Sequence, residues 1–347
     1  MRTRLVVLLT AAFALAAPAA AGAADAGPFQ TIAYSKYFST KPSQVWSITD
    51  GGTPQKQSND AFAPVVSPNA GLIVYEVSTR SSYKIMLTKA GSGTSTTRTL
   101  AKDAVGGADI AWSPDSLQIA AVVGPEIGKQ SLVIINIPDL SRRVVATGYF
   151  NGASFSPDGT KIAYGRSAKD SPTSARDVWV APVAGGKPVN ITKDGKSVAP
   201  VWGPSQIAFS HLAKPAKKED YPKANLQAIN GDGTGRKVLT KVKIPFLLAG
   251  LYATAWSADG TRLLAEFGGQ DYSEAWTVNL TTGKARDLTG KEDGVLGFGI
   301  SRDGSKVLAA TGGYDPGDTH NLVTIPFTGG KAKVVVKNGS YATWTGF

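Results

Sequence analysis

The sequence predicts an all-β protein made of one short unit that recurs along the chain. Two observations carry this prediction: a repeated turn motif and its regular spacing. In the motif, small residues and usually an aromatic residue precede Ser-Pro-Asp-Gly or a variant of it, and a short apolar run follows. The copies lie at 63–77, 109–123, 153–165, 199–210, 254–267 and 297–311. Self-similarity at a fixed period of this length indicates a repeat architecture.

Each unit contains two hairpins. In the turn at 156–159, proline fixes φ, aspartate caps the turn through its own side chain, and glycine accepts a positive φ. This turn therefore joins two antiparallel strands, 151–155 and 160–166. A second hairpin with a Gly-Gly turn follows at 177–192. Four short antiparallel strands per repeat are typical of a β-propeller blade.

The number of blades follows from the third strand of each repeat. These strands lie at 44–49, 83–88, 132–137, 177–182, 225–230, 274–279 and 321–326. They start 39 to 49 residues apart, close to the spacing of about 40–50 residues expected of blades.

The two ends of the chain complete the count. Residues 341–347 resemble a first strand without a second, and residues 30–37 resemble a second strand without a first. Pairing them would remove an exposed sheet edge. We therefore predict a single seven-bladed β-propeller over 29–347, made of four-stranded antiparallel blades and closed by pairing of the N- and C-terminal strands. Six or eight blades is the alternative.

The motif also resembles a known repeat. Ser-Pro-Asp-Gly with its apolar run, followed by Asp-Val-Trp-Val at 177–180, is similar to the PD40 (WD40-like) repeat of TolB-like propellers and of dipeptidyl-peptidase propeller domains. The resemblance covers nearly the whole chain after residue 23. TolB has six blades and an α/β domain ahead of them, and we expect this chain to lack that domain. The related peptidases keep their catalytic residues in a separate α/β-hydrolase domain, for which we find no sequence.

The first residues have the pattern of a signal peptide, predicted at 1–23. Arg2 and Arg4 precede an apolar stretch, and Ala21-Gly22-Ala23 offers small residues for cleavage. That stretch is too short for a confident membrane span, and no later segment approaches the needed length. We expect export to the periplasm, the cell envelope or the medium. The sequence contains no cysteine, so disulfides and lipobox lipidation are excluded.

The charge balance favours anionic partners. The formal net charge is +11, with a basic cluster at 214–223. We expect a protein or an anionic cell-envelope polymer as partner, and a monomeric chain. Nucleic acid is not expected, because no recognition motif accompanies the charge.

The strand order assigns two faces to the propeller. The Ser-Pro-Asp-Gly turns and the glycine-rich turns lie on one, the turn face. The opposite loop face carries the long connections, at 36–43, 165–176, 210–224, 240–252, 267–273 and 311–320. Variable loops on a rigid scaffold commonly carry function, although neutral insertions are the alternative for any single loop.

The candidate ligand-binding residues on the loop face are polar or aromatic. They are His211, Tyr221, Tyr252, Asp271, Tyr272, Asp315, Asp318 and His320. Asp315, Asp318 and His320 share one loop, for which an Asx-stabilised turn is the alternative. Tyr341 also lies beside this face.

Other recurring residues have structural interpretations. One register predicts packing between blades, and its members are Val66, Trp112, Phe155, Trp202, Trp256, Ile300 and Trp344. Trp46, Trp179 and Trp276 recur in a second register and are predicted to be core. Asp177 and Glu274 precede third strands, where a carboxylate accepts backbone hydrogen bonds. The segment 230–235 faintly resembles a calcium loop, but it lies where a hairpin turn is required.

Most catalytic motifs are absent. The sequence has no nucleophile elbow, no His-Glu-x-x-His and no P-loop, and its two histidines exclude a cluster of three histidine ligands. We predict a non-enzymatic binding or scaffold module without cofactor or metal. The alternative is a secreted glycan hydrolase or lyase that uses loop-face carboxylates. Carboxylates at the channel mouth would favour the enzyme. Small residues recur at one register of the inner strands, at Ala63, Gly152, Ala199, Ala253 and Gly297, with Asp109 and Tyr341 as exceptions. This recurrence favours the binder.

Overall fold

The protein is all-β, as predicted. The computed structural model describes residues 31–38, 41–49, 52–80, 82–93, 95–107, 110–125, 128–167, 169, 174–214, 221–269, 272–288, 294–312 and 320–344, with the backbone alone at Tyr272. Every regular element in these ranges is a β-strand. None of them contains a helix long and apolar enough to cross a membrane.

The described chain contains 27 strands. In order they are β1 Thr31–Lys36, β2 Gln44–Thr49, β3 Gln55–Asn59, β4 Phe62–Val66, β5 Leu72–Ser78, β6 Tyr83–Lys89, β7 Arg98–Ala104, β8 Ala111–Trp112, β9 Gln118–Val123, β10 Gln130–Asn136, β11 Arg142–Phe155, β12 Lys161–Ser167, β13 Arg176–Pro182, β14 Val189–Asn190, β15 Ser197–Trp202, β16 Ile207–Ala213, β17 Lys223–Ile229, β18 Lys237–Val238, β19 Leu248–Trp256, β20 Arg262–Gly269, β21 Tyr272–Asn279, β22 Lys284–Asp287, β23 Leu296–Ile300, β24 Lys306–Thr311, β25 Asn321–Pro326, β26 Lys333–Lys337 and β27 Ser340–Trp344.

The strands group into sets of four antiparallel neighbours. Within the described ranges, set 1 is β27-β1-β2-β3, set 2 is β4 to β7, set 3 is β8 to β10 with the first half of β11, set 4 is the second half of β11 with β12 to β14, set 5 is β15 to β18, set 6 is β19 to β22 and set 7 is β23 to β26. Some sets merge into larger sheets because β11 serves two of them and single bridges join β7 with β9 and β17 with β19.

The two ends of the described chain pair with each other. Strand β1 lies antiparallel to β27, with Ile32 opposite Trp344 and Ser35 opposite Ser340. The first and last strands therefore belong to one sheet, as the sequence predicts for them.

The Ser-Pro-Asp-Gly turns have the predicted geometry. The Ser156 hydroxyl donates to Asp158 Oδ1 at 2.6 Å, and the same oxygen accepts the Thr160 N–H at 3.0 Å. Gly159 has a φ of 69°, which glycine adopts without strain. Other sets build the same turn with the pairs Ser67–Asn69, Ser113–Asp115, Ser257–Asp259 and Ser301–Asp303.

The hydrophobic core lies between consecutive sets. In the described chain it forms separate clusters, each joining two neighbouring sets. One of them packs Leu308 and Leu322 of set 7 against Ile32, Tyr34 and Trp344 of set 1. Because each sheet has two apolar faces, each set needs a neighbour on both sides to bury them.

The predicted packing register is confirmed. Trp112, Phe155 and Trp256 are at most 8% exposed. The indole N–H of Trp112 donates to the Val65 carbonyl at 3.1 Å, and that of Trp256 to the Val201 carbonyl at 3.0 Å. Each indole therefore reaches the innermost strand of the preceding set, so these aromatic residues tie neighbouring sets together.

The second tryptophan register was predicted to be core, and this is wrong in part. Trp46, Trp179 and Trp276 are half-buried at the margin of the clusters. Lys36 Nζ lies 4.1 Å from the centroid of Trp46, and the Arg166 guanidinium lies 5.2 Å from that of Trp179. Long cationic side chains cover the rings of Trp46 and Trp179. Trp276 instead stacks on Phe267, with 5.0 Å between the ring centroids.

The turn aspartates predict an acid-sensitive contribution to stability. Hydrogen bonds from Ser257 and Thr261 lower the pKa of Asp259 from 3.8 to about 2. The ionised form therefore stabilises the fold above pH 4, and this contribution is lost as the pH falls towards 2. Asn69 already serves in the equivalent turn of set 2, so Asp259→Asn keeps the geometry. We expect denaturant unfolding to give wild type a higher free energy of unfolding than Asp259→Asn at pH 6. The difference between the two should vanish as the pH falls to about 2. A difference independent of pH would contradict this assignment.

Candidate functional site

Two adjoining cavities lie where the innermost strands of the sets meet. Their volumes are about 310 Å³ and 550 Å³. Strands β4, β8, β11, β15, β19, β23 and β27 each contribute a residue from one register, namely Val65, Ala111, Ser154, Val201, Ala255, Gly299 and Thr343. The cavities thus have walls from every set.

The walls of these cavities are apolar. Trp112 and Trp202 contribute ring surface, and prolines of the turns, such as Pro114 and Pro157, form the rim on the turn face. None of the described residues that line the two cavities is charged. The Thr343 hydroxyl donates to the Pro64 carbonyl at 3.0 Å and accepts the N–H of Val66 at 2.9 Å. The described walls of the inner cavities therefore suit an apolar group.

At the loop-face end of the same strands, the recurring small residues have a structural cause. Ala63, Gly152 and Ala199 have φ of 47°, 72° and 50°, and strands β4, β11 and β15 are bulged at these residues. A Cβ on Gly152 would lie 3.1 Å from the Ala199 Cα. Small residues recur because neighbouring inner strands approach closely at the bulge.

Tyr341 occupies the same register with a large side chain. Its φ is 43°, a left-handed conformation that costs roughly 1–2 kcal/mol for a residue other than glycine. Its ring is 52% exposed, lies 5.7 Å from the ring of Tyr37, edge to face, and 6.4 Å from that of Phe298. Non-glycine residues in such conformations are often found at functional sites.

Lysines accompany this aromatic group. Tyr37 and Phe38 are 46% and 40% exposed, and Lys41 Nζ lies 5.9 Å from the centroid of Phe38. Lys36 precedes Tyr37 and lies over Trp46. We call Tyr37, Phe38, Phe298 and Tyr341, with Lys36 and Lys41, the aromatic group of the loop face.

Tyr252, a predicted site residue, lies in β19 directly opposite Glu266. Burial raises the pKa of its hydroxyl; the nearby Arg176 lowers it and Glu266 raises it. Glu266 Oε1 accepts the Ser273 hydroxyl at 2.5 Å. Tyr252 is thus a neutral phenol beside a carboxylate that is already hydrogen-bonded.

His211, another predicted site residue, belongs to an ionic cluster. Its Nδ1 lies 3.3 Å from Asp194 Oδ2 and 3.1 Å from Arg236 Nη2. Arg236 also pairs with Asp194 at 2.5 Å and donates to Gln227 at 2.7 Å. Burial lowers the pKa of His211; Asp194 opposes this shift, and Arg236 and Lys196 add to it. The imidazole is therefore neutral at pH 7. It lies beside the half-buried ion pair of Asp194 and Arg236, and its hydrogen-bonding role there depends on its tautomer.

The remaining predicted residues are only partly described. Tyr221 is 39% exposed, and His320 precedes β25, where its carbonyl accepts the Gly339 N–H at 2.9 Å. Asp271, Asp315, Asp318 and the side chain of Tyr272 lie outside the described residues. In the part of the chain that is described, no group of three or more His, Cys, Asp or Glu residues is placed to hold a metal ion.

The residues predicted to be structural can also be located. Asp177 Oδ1 accepts the N–H groups of Asp194 and Gly195 at 2.9 and 3.0 Å, as predicted. Glu274 is 8% exposed and accepts the Trp276 indole N–H at 3.3 Å, a side-chain donor where a backbone donor was expected. Asp232 Oδ1 accepts the backbone and hydroxyl of Thr234. The segment 230–235 is therefore a hairpin turn closed by its own side chains.

Sequence reasoning missed two components of these sites. Tyr37, Phe38 and Phe298 join Tyr341 only through the fold, because they come from distant parts of the chain. Asp194 and Arg236 join His211 in the same way. The exposed aromatic pair directly after β1 was the one local signal.

Comparison with known proteins supports the fold. No family model matches the sequence, and no curated protein matches it. Among solved structures, the β-propeller domain of the Trilobed protease from Pyrococcus furiosus, which has an open velcro topology, aligns with 90% of this chain and 95% of its own at a TM-score of 0.63 and 13% identity. TolB from Acinetobacter baumannii aligns with 92% of this chain and 83% of its own, at a TM-score of 0.54 and 14% identity. The structure of an oligogalacturonate lyase in complex with manganese aligns with 89% of this chain and 79% of its own. Its TM-score is 0.56 and its sequence identity is 16%.

These likenesses show the fold alone, because every identity is below 25%. The fold is therefore that of a β-propeller, and the predicted resemblance to TolB-like and peptidase propellers is confirmed at the level of the fold.

The His211 cluster predicts a pH dependence of stability near neutrality. Because the folded pKa lies below the ordinary value of 6.5, the unfolded chain binds the proton more readily. The free energy of unfolding should therefore be highest above pH 6.5 and fall as the pH drops below it. His211→Gln keeps a polar group beside Arg236 and should flatten this part of the profile. His320→Gln serves as the control. An unchanged profile in His211→Gln would contradict the prediction.

Proposed function

We propose that the seven sets are blades of one closed ring. Two observations support this. The core clusters join consecutive sets, and one of them joins set 7 back to set 1. The inner cavities are bounded by strands from all seven sets. The pairing of β1 with β27 would then fasten the ring, in contrast to the open topology of the Trilobed protease domain.

An engineered disulfide tests closure. The chain has no cysteine, so Ser35→Cys with Ser340→Cys introduces a single possible bridge between directly opposed residues. If the ring is closed, the bridge forms within one chain and raises the free energy of unfolding by up to about 4 kcal/mol. Ser35→Cys with Ser210→Cys, a buried serine of set 5, is the unpaired control. Failure of the first pair to oxidise would argue for an open ring.

We further propose that the protein is a non-enzymatic binding module that takes a protein or an anionic envelope polymer on its loop face. The aromatic group carries this proposal. Exposed rings offer stacking and apolar area, and lysines beside them complement negative charge. Tyr341 keeps its exposed position in spite of an unfavourable φ, which suggests that the side chain is retained for contact rather than for stability.

The alternative of a glycan hydrolase or lyase has less support. No carboxylate is among the described residues that line the inner cavities, although Asp109 lies outside the described residues. Glu266 is hydrogen-bonded to Ser273. The lyase neighbour holds manganese, but the described residues of this chain offer no comparable donor cluster. The manganese chemistry of that neighbour therefore does not fit the residues described here.

We also propose that the protein is exported and that the propeller follows directly after the leader. The leader pattern at 1–23 supports a secreted or periplasmic protein, with the propeller beginning at about residue 29. A monomer that binds its partner through the loop face is consistent with one closed ring.

Tyr341→Gly separates binding from folding. Glycine removes the ring but accepts the left-handed φ, as Gly152 does in set 4, so the free energy of unfolding should change by less than about 1 kcal/mol. We expect binding to anionic envelope polysaccharide or to partners captured from envelope extract to fall at least tenfold, measured by calorimetry or pull-down. Leu117→Ser, which removes an exposed side chain on the turn face, is the control. Equal binding by Tyr341→Gly would overturn the proposed site, and turnover of a glycan panel would overturn the non-enzymatic function.

A further inference from the structure

The larger of the two inner cavities has the size of a small-molecule site. Its volume is about 550 Å³, within the range of roughly 300–1,000 Å³ that is usual for ligand pockets. An apolar cavity of about 150 Å³ is enough to bind benzene in a protein interior. The described residues that line the larger cavity are flanked by described chain on both sides. The cavity therefore has room for two or three fused aromatic rings.

The larger cavity opens at the turn face. Its rim carries one exposed residue from the first-hairpin turn of each of sets 3 to 6, namely Pro114, Pro157, Pro204 and Ala258. Two of these prolines pack on the turn glycine of the next set. A Cβ on Gly159 would lie 3.5 Å from Pro114 Cδ, and a Cβ on Gly260 would lie 3.6 Å from Pro204 Cδ. Contacts between sets therefore fix the rim, and the opening is preformed.

Four aromatic side chains surround the larger cavity, one from each of sets 3 to 6. They are Trp112, Phe155, Trp202 and Trp256. The indole N–H groups of Trp112 and Trp256 donate to backbone carbonyls, so the orientation of these two rings is fixed by the fold. Trp202 is half-buried, whereas the other three side chains are at most 8% exposed. The cavity therefore offers ring surface for stacking and for edge-to-face contact, above all at Trp202.

The serine hydroxyls on the described walls are used within the chain. Ser154 Oγ accepts the Trp202 N–H at 3.0 Å. The Ser156 hydroxyl donates to Asp158 Oδ1 at 2.6 Å and accepts the Lys161 N–H at 2.9 Å. None of the described residues that line the larger cavity is charged. Because the transfer of a charged group to such walls costs free energy that they do not return, the cavity selects an uncharged ligand.

We propose that the larger inner cavity binds a small uncharged aromatic molecule of two or three fused rings, which enters from the turn face and stacks on Trp202. This site is separate from the aromatic group of the loop face, so the inference does not rest on the binding of a polymer or protein there. A peptide is a less suitable occupant, because its backbone would bring N–H and C=O groups to walls whose serine hydroxyls already have partners.

Calorimetric titration of the full chain with naphthol tests the ligand class. Naphthol is uncharged at pH 7, whereas naphthalene sulfonate and naphthylmethylammonium carry opposite charges on the same rings. Wild type should bind one naphthol per chain with a negative heat-capacity change, and it should bind both charged analogues at least tenfold more weakly. Decahydronaphthol, the saturated analogue, should bind at least threefold more weakly than naphthol. Absence of saturable naphthol binding, or equal binding of any of these analogues, overturns the inference.

Two pairs of variants test the location of the ligand in the same assay. Thr254 is half-buried where the two cavities adjoin. Thr254→Phe fills this space and should weaken naphthol binding at least tenfold, whereas Thr254→Val keeps the shape of the side chain and should bind naphthol like wild type. Ala258→Trp narrows the exposed rim without changing the interior and should weaken binding at least threefold. Its matched control is Ala258→Pro, because sets 3 to 5 carry proline at this position of the turn.

The outcomes separate this inference from the proposed function. Unchanged naphthol binding in both Thr254→Phe and Ala258→Trp would place the ligand elsewhere and overturn the inference. Tyr341→Gly changes the loop face and should bind naphthol like wild type. If Tyr341→Gly loses naphthol binding, the molecule lies at the aromatic group and the inference is overturned. If Tyr341→Gly keeps polymer binding while the naphthol results hold, the proposed loop-face site fails and the cavity site stands.

Discussion

The structure depends on the packing of one set of strands against the next. A four-stranded sheet with two apolar faces has no stable form alone, and here each face is covered by a neighbouring set. The residue that closes each contact stands at the turn-face end of the inner strand. Trp112 and Trp256 fill this position and also donate to a carbonyl of the preceding set. Apolar burial and a directional hydrogen bond thus fix the same register.

This packing divides the molecule into a constrained face and a variable one. On the turn face, Ser–Asp pairs fix the first hairpin of sets 4, 6 and 7 through short hydrogen bonds within the turn. On the loop face, the inner strands bulge and approach closely, and most sets place a small residue at that point. Tyr341 departs from this pattern with a large residue that is 52% exposed.

The sequence predicts the repeat, the strands and the packing register well because each is a local pattern. Ser156, Pro157 and Asp158 specify their turn without help from the rest of the chain. Asp177 is similarly local, since the N–H groups it accepts follow within one hairpin. The second tryptophan register misled the prediction because recurrence in sequence does not distinguish a buried ring from one covered by a cation. Only the fold brings Lys36 over Trp46 and Arg166 over Trp179.

The candidate sites were harder to predict because their parts come from distant segments. Tyr37 and Tyr341 meet only because the first and last strands pair, and Arg236 pairs with Asp194 although the two are 42 residues apart in the sequence. Phe298 comes from set 7, whereas Tyr37 and Tyr341 belong to set 1, so the aromatic group exists only where these two sets pack together. A change that separates the first and last strands would therefore dismantle this group as well as the sheet.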